Sequence, residues 1–276
     1  MTSVATGSRG LPEDVDLDRP SAARVHDYWL GGSHNFAVDR ALAERAVRIV
    51  PELPAAMRAT RAFLRRAVRY CLASGIRQFL DLGSGIPTVG NVHEVAQAVD
   101  PAARVVYVDS DPVAVSHSRV MLADVPGAEI LHADLRDPER VLPSPEVTGL
   151  LDLDRPVAVL MVASLHFVPD SDDPVHVIGR YREAMAPGSH LVLSHLTGDS
   201  DNEAVGEQVS RVAALYASSA QRFTLRSRAE VTALLAGFEL VDPGVTRLAE
   251  WRPDTPRTTD EHPRRDIGYA GVGRRV

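Results

Sequence analysis

Three aspartates stand where short apolar runs give way to turns, and each could meet a polar ligand. Asp81 lies two residues ahead of the first glycine in Asp81-Leu82-Gly83-Ser84-Gly85-Ile86-Pro87-Thr88. Asp109 directly follows Val105-Val106-Tyr107-Val108, and Asp134 stands at the end of Ile130-Leu131-His132-Ala133. Glycines at 83 and 85 let the backbone approach a ligand that side chains would exclude, and a helix after such a turn points its free N–H groups at the same spot. A carboxylate at the end of the second strand can accept both hydroxyls of a ribose. Asp111, two residues on, could share that work or simply cap a helix opening at Pro112, and Asp134 could equally cap the turn before Pro138. Three histidines, His93, His166 and His195, fall near the same ends. A neutral imidazole there could take a proton from a hydroxyl, an amine or a carbon acid. The histidines lack the H-x-x-x-H or H-E-x-x-H spacing that would put two ligands on one helix, so no metal site is expected.

These residues need strands that end together and helices that return the chain. The sequence predicts strands over 77–82, 104–108, 128–132, 157–163 and 189–195, with helices between them, and two more strands over 238–248 and 267–275. Val105–Val108 and Val157–Val162 are unbroken apolar runs, which suit strands buried on both faces of a parallel sheet. Pro87 is expected in the first turn of the helix that follows the glycines. Ahead of the sheet, helices are predicted over Ala22–Leu30 with Ser21 as its cap, Phe36–Val50 with Asn35 as its cap, and Ala55–Ala73. In the last, Leu64, Ala67, Val68, Cys71 and Leu72 form the buried stripe, while Arg58, Arg61, Arg65, Arg66 and Arg69 read as a solvated face. Ser227 and Glu230 have capping-box spacing for a helix that Gly237 ends. Residues 1–19 read as a disordered lead, and 252–266 as a surface connection.

With 276 residues, 45% of them hydrophobic, the chain can bury a large α/β core. All thirty basic residues are arginine, so Schiff-base chemistry and a P-loop lysine are excluded. A formal charge of −7 without a basic stripe makes nucleic acid an unlikely partner. The single cysteine, Cys71, excludes an internal disulfide and a multi-cysteine zinc site. No apolar run is long enough to span a bilayer and no signal peptide is recognisable, so a soluble, cytoplasmic protein with no membrane partner is expected.

A dinucleotide fingerprint would bring a third glycine to position 88, where Thr88 stands. The acid ahead of the two glycines instead resembles motif I of class I methyltransferases that use S-adenosylmethionine. The run Pro20-Ser21-Ala22-Ala23-Arg24-Val25-His26-Asp27-Tyr28-Trp29-Leu30-Gly31-Gly32, continuing through Ser33-His34-Asn35-Phe36 to Arg40, is similar to the opening signature of one family of that class. It is the actinobacterial S-adenosylmethionine-dependent methyltransferase family first catalogued as a domain of unknown function. Gly85-Ile86-Pro87-Thr88 with Asn91-Val92-His93-Glu94, Tyr107-Val108-Asp109-Ser110-Asp111-Pro112, Leu165-His166-Phe167-Val168-Pro169-Asp170 and Gly268-Tyr269-Ala270-Gly271-Val272 match as well.

The resemblance implies an α/β class I methyltransferase (Rossmann-like) fold, with a seven-stranded, mostly parallel sheet whose last strand is antiparallel and helices on both faces. An added helical segment over 20–75 would precede a cofactor-binding core over 76–276. Cofactor contacts would fall at Asp81, Gly83, Ser84, Gly85, Pro87, Asp109, Ser110, Asp111, Asp134, Leu135 and Ser164. Asp134 would face the adenine amino group, and the amide of Leu135 a ring nitrogen. His166 leads as the base, because residues after the fourth strand border the methyl group in related folds; His195 and His93 follow. Tyr28, Trp29, His34, Asn35 and Phe36 beside Gly31-Gly32 suit a lid over the cofactor and acceptor, or a staple fixing the extra helices to the sheet.

The leading expectation is a methyltransferase acting on a small molecule with S-adenosylmethionine as cofactor. A protein that binds S-adenosylmethionine or its demethylated product without turnover is the alternative, and a nicotinamide dehydrogenase a third. The acceptor atom and the oligomeric state are not legible in the sequence.

Overall fold

The apolar runs form the centre of the computed structural model, which describes residues 16–87, 90–199, 203–216, 219, 222–254 and 267–276. The expectations for residues 1–15, for Thr88 and for most of 252–266 lie outside that set. Three helices come first, α1 (Ala22–Trp29), α2 (Ala37–Ile49) and α3 (Leu53–Ala73). Then follow β1 (Gln78–Leu82), α4 (Val92–Gln97), β2 (Arg104–Asp109), α5 (Pro112–Leu122), β3 (Ala128–His132), α6 (Pro138–Val141), α7 (Pro145–Leu150) and β4 (Ala158–Val162). Two short 3-10 turns lead into α8 (Pro174–Ala184), β5 (His190–Leu196), α9 (Glu203–Leu215), α10 (Arg228–Leu234), β6 (Glu239–Leu240), β7 (Thr246–Arg247) and β8 (Gly268–Arg274).

The eight strands make one sheet in the order β3-β2-β1-β4-β5-β8-β6, with β7 also paired to β8. β1 to β5 run parallel, and β8 lies antiparallel to β5 from Leu196↔Gly268 to His190↔Arg274. Alternate residues of each central strand serve opposite faces. Phe79, Val105, Tyr107 and Leu160 pack with α3, α4 and α5, whereas Leu80, Val106, Val159 and Met161 pack with α6, α7, α8 and α10. This two-sided burial explains why the strands read as unbroken apolar runs. A third apolar cluster joins α1, α2 and the start of α3 to Leu196 of β5 and to Val209, Val212 and Tyr216 in and just after α9. Among the described residues no helix is long and apolar enough to cross a membrane.

Four sequence expectations need correction. The strand expected over 238–248 is two two-residue strands, because Pro243 and Gly244 make a turn inside it, and the sheet therefore has eight strands where seven were expected. Pro87 lies outside the helix after the glycine turn; α4 begins at Val92, where the Glu94 carboxylate accepts the backbone N–H groups of Gly90 (2.7 Å) and Asn91 (3.1 Å). Ser21 precedes α1 but makes no side-chain cap; its hydroxyl goes to the Asp111 carboxylate of α5 instead. Nor does Asn35 cap α2. Its amide donates to Asp27 (2.8 Å) and to the Gly32 carbonyl (3.0 Å), and Asp39 receives the Phe36 N–H (2.8 Å) at the helix start.

Candidate active site

At the carboxyl ends of the parallel strands the glycine turn is pinned between β2 and the chain leaving β4. Gly83 N–H donates to the Val108 carbonyl (2.8 Å), and Gly85 N–H donates to the Asp109 carboxylate (2.6 Å), whose other oxygen receives the Asp111 N–H (2.8 Å). Gly83 has φ +78°, and a Cβ there would lie 2.5 Å from Ser164 Cβ. At Gly85, φ +70°, an added Cβ would meet no atom within 4 Å, so this glycine borders open space. Ser164 follows Ala163, a non-glycine residue at φ 58°. Such backbone is costly and tends to mark sites where direction matters. The buried hydroxyls of Ser84 and Ser164 have no hydrogen-bond partner.

Burial pushes the Asp81 carboxyl up to about 7, with Arg61 opposing and Asp109 adding to the shift. Burial also raises Asp109, to about 6, against the pull of the Asp111 and Gly85 amides. Asp111 caps α5 through the N–H groups of Val113 (2.8 Å) and Ala114 (3.2 Å) and holds Ser21, so its carboxylate is already committed. Asp134 pairs with Arg136 (2.5 Å), which reaches on to Asp172 (2.6 Å). Burial opposes ionisation of Asp134, but the Arg136 hydrogen bonds prevail and hold it below the usual carboxylate range.

Asp81, Gly83, Ser84, Gly85, Asp109, Ser110, Asp111, Asp134, Leu135, Ser164 and His166 all line one cavity, with about 1140 Å³ of space counted out to its mouth. Pro87 is absent from that lining and borders a small adjoining pocket with Arg61, Asp81 and Ser84. His166 is 3% exposed, its Nδ1 has no partner, and its ring packs on Phe167 and Phe223 with centroids 4.4 and 4.7 Å apart. Burial first, then the neighbouring His195, His26 and Arg226, push its pKa well below the usual histidine value.

Apart from Trp29, the structure does not bring the other predicted histidines and lid residues to this cavity. His195 Nδ1 contacts the Leu196 carbonyl (2.6 Å), and its Nε2 accepts from Arg226 (2.9 Å), which occupies the lone pair a base would need. Both the backbone N–H (2.9 Å) and Nδ1 (2.8 Å) of His93 bond the Tyr107 hydroxyl, tying α4 to β2. Tyr28 reaches Glu44, and exposed His34 stacks on His117 at 3.8 Å. Asn35 is buried in its bonds to Asp27 and Gly32, and Phe36 packs near Ile86, Val113 and Ala114. Tyr28 and Asn35 thus bond within the N-terminal segment and His34 and Phe36 pack on α5 and Ile86, while Ala22, Ala23, His26 and Trp29 of α1 face the cavity.

The lining also holds residues that sequence reasoning did not place at the site. Ala22, Ala23 and His26 of α1 join Trp29 there, with Met57, Thr60, Leu64 and Arg61 of α3, the last corrected from its reading as part of a solvated face, and with Arg136, Phe167, Leu196, Tyr216 and Phe223. His26 Nε2 is buried without a partner, and burial, aided by Arg61, pushes its pKa down to about 3. Arg61 is itself lowered by burial, with Asp81 working the other way. The signal for Arg61 was present: it follows Met57 by four and precedes Leu64 by three, which is the spacing of the buried stripe itself. No comparable pattern marks Tyr216 or Phe223.

A family model described as S-adenosyl methyltransferase matches residues 8–276. A proposed methyltransferase of Thermobifida fusca is 42% identical, with a TM-score of 0.88 over 96% of this chain and 98% of its own. A DUF574 family protein of Streptomyces avermitilis is 38% identical, with a TM-score of 0.88 over 95% of this chain and 99% of its own. Human N-acetylserotonin methyltransferase, solved with S-adenosylmethionine, is 15% identical with a TM-score of 0.50, covering 93% of this chain and 63% of its own, a likeness of fold alone. No curated protein sequence matches the chain.

Proposed function

Because the chain belongs to the S-adenosyl methyltransferase family, we propose that it is an enzyme transferring the methyl group of S-adenosylmethionine to a small-molecule acceptor held in the same cavity. The glycine turn fits this cofactor. Two buried hydroxyls there lack partners, Gly85 borders open space, and one acid and one base, Asp81 and Arg61, stand ready for the ammonium and carboxylate of an amino-acid end. Asp109 is the residue for the ribose hydroxyls, and Asp134 with the Leu135 amide for the adenine edge. Ser84, Ser110 and Ser164 complete the polar lining. When bound, the cofactor supplies a methyl group made electrophilic by its sulfonium.

The chain's own task is then to position and to exclude water. His166, kept neutral by burial, holds the acceptor's proton-bearing atom or takes its proton at Nδ1. In this reading residues 20–75 are the helical cover, with α1 as its working part, and 76–276 the cofactor-binding core. The reducing cytoplasm suits its single, buried cysteine.

The observation that carries the proposal is the continuity of the cavity from the glycine turn to the aromatic wall under α1. A cofactor sensor needs no such second compartment. Titration calorimetry with S-adenosylmethionine, S-adenosylhomocysteine and NAD is expected to show binding of the first two only. Incubation with methyl-labelled S-adenosylmethionine and a metabolite extract should then move label into an extractable product. Binding of NAD alone, or cofactor binding with no label transferred from any extract, would count against it.

A further inference from the structure

The two ends of the cavity differ in kind. Every charged residue of the lining comes from α3 or from the ends of β1, β2 and β3: Arg61, Asp81, Asp109, Asp111, Asp134 and Arg136. Among the described residues, the side built by α1, β4, β5 and the chain after α9 contributes no charged group to the lining. It offers Trp29, Leu196 and an aromatic corner in which Phe223 lies 5.4 Å from Phe167, perpendicular to it, and 5.3 Å from Tyr216. Behind that corner a narrow crevice is walled by Trp29, Leu53, Val209, Tyr216, Phe223 and Ile267, again with no charge. Among the described residues, two ring nitrogens on this side, His26 Nε2 and His166 Nδ1, are buried without a partner, as is the Ser164 hydroxyl where β4 meets the cofactor end, and Tyr216 adds its own hydroxyl to the lining.

We infer that the acceptor is a flat, uncharged, mainly apolar molecule bearing a hydroxyl, seated against Phe167, Tyr216 and Phe223 with its hydroxyl hydrogen-bonded to His26 and His166. The inference rests on the methyltransferase reading given above. A ring stacked or set edge-on in this corner gains aromatic contact beyond its buried area. A carboxylate or an ammonium would lose its water against this apolar wall, and the nearby Arg226 is already engaged by Asp170, the His195 ring and the Leu165 and Val168 carbonyls. Neutral imidazole nitrogens present a lone pair or an N–H according to tautomer, and a hydroxyl, which both donates and accepts, can satisfy one of each. Leaving those buried nitrogens unpaired is costly, so an analogue without the hydroxyl is discriminated against. Burial holds both imidazoles neutral across the working pH range, which keeps the pair from recruiting an anion.

The test uses the full chain saturated with S-adenosylhomocysteine, whose binding is first established by calorimetry. Failure at that step would sink the methyltransferase reading and leaves the charge preference of the cavity to be read on the protein alone. Four probes of one size are then titrated: 2-naphthol, naphthalene, 2-naphthoate and 2-naphthylmethylammonium. 2-Naphthol is expected to bind at least tenfold more tightly than either ion. His26→Ala and His166→Ala should each weaken 2-naphthol several-fold and leave naphthalene unchanged, a split that a general loss of structure would not give. Where an alanine variant unfolds, Gln at the same position serves, and the charge discrimination of the wild type stands by itself. Equal or tighter binding of 2-naphthoate, binding of none of the neutral probes, or indifference of 2-naphthol to both histidine variants would overturn the inference.

Discussion

Asp81 carries a proton more readily in the folded protein than in the unfolded chain, and this gives the site a pH dependence of definite sign. With Asp81 raised to about 7 and Asp109 to about 6, these two carboxyls bind more protons in the native state than in the unfolded chain above about pH 4, whereas the buried histidines His26, His166 and His195, all lowered, bind fewer. The carboxyls' own contribution to the stability of the unliganded protein is therefore expected to fall as pH rises from about 4 to 7, against a rising contribution from the histidines. A ligand ammonium favours the ionised carboxylate, so affinity for S-adenosylhomocysteine should strengthen over the upper part of that range. Calorimetric titrations and thermal melts between pH 5 and 8 on the wild type and on Asp81→Asn check both: the wild type should lose stability relative to the variant as pH rises towards 7, and the variant should bind more weakly throughout. The glycines separate a steric role from a conformational one. Gly83→Ala combines a strained φ with a collision against Ser164 and should cost about 2–4 kcal/mol and most cofactor binding; Gly85→Ala pays only the backbone term, about 1–2 kcal/mol. Melts of the two variants, with and without cofactor, measure the difference. At this scale the carboxylates were legible because each ends an apolar run, and Trp29 because it stands beside the glycine pair, whereas Tyr216 and Phe223 look like ordinary core in the sequence. His26 gains its meaning only where α1 crosses the sheet end, while the spacing of Arg61 from Met57 and Leu64 already pointed inward.

Among the elements, α1 is held by a buried ion pair of unusual economy. Asp39 of α2 is fully buried and accepts the backbone N–H of Ser21 (3.0 Å), the Phe36 N–H (2.8 Å) and the guanidinium of buried Arg24. One carboxylate thus fixes both ends of the segment that carries His26 and Trp29. Removing it leaves Arg24 buried without its counter-charge, so Asp39→Ala is expected to lose about 3–5 kcal/mol. Chemical denaturation checks the loss. Asp39→Asn, which keeps part of the hydrogen bonding, should stay folded but bind 2-naphthol more weakly than S-adenosylhomocysteine would predict from the wild-type ratio. The strands were readable because burial on both faces demands unbroken apolar runs. The helix start at Val92 was not, since Pro87 is as compatible with a turn as with a first helical residue; the Asn91–Glu94 spacing was the better signal. Likewise Asp242-Pro243-Gly244 announced the break in the strand predicted over 238–248, and it outweighed the flanking apolar residues.

Across the whole molecule, the sheet order sorts chemistry by position. β3, β2 and β1 bring the three acids together on one half, and β4 and β5, roofed by α1, form the apolar half. Ligands placed across this boundary touch α1, α3 and the ends of β1 to β4 at once, so they should stabilise the fold as a unit. At a hundredfold excess over its dissociation constant, S-adenosylhomocysteine is expected to add about 2.7 kcal/mol and raise the melting temperature by roughly 5–10 °C in a single transition. Differential scanning calorimetry checks the shift, and an unmoved transition would show that binding bridges less of the molecule than the cavity suggests. The alternation of buried strands with helical stretches made the architecture legible before any coordinates. The two-compartment cavity was not, because its walls come from residues as far apart as Ala22 and Phe223.

The broken strand at the far side of the sheet reaches beyond this chain. β6 and β7 each pair with β8 for only two residues, Glu239 with Leu240 and Thr246 with Arg247. A continuous strand over 238–248 would display a long row of free N–H and C=O groups, a template on which a second chain could add a strand. Divided by its turn, this border presents no more than two residues of ladder at a time, which is too little to nucleate cross-chain β-pairing. The irregularity that spoiled the strand prediction thereby guards this edge against self-association through the backbone.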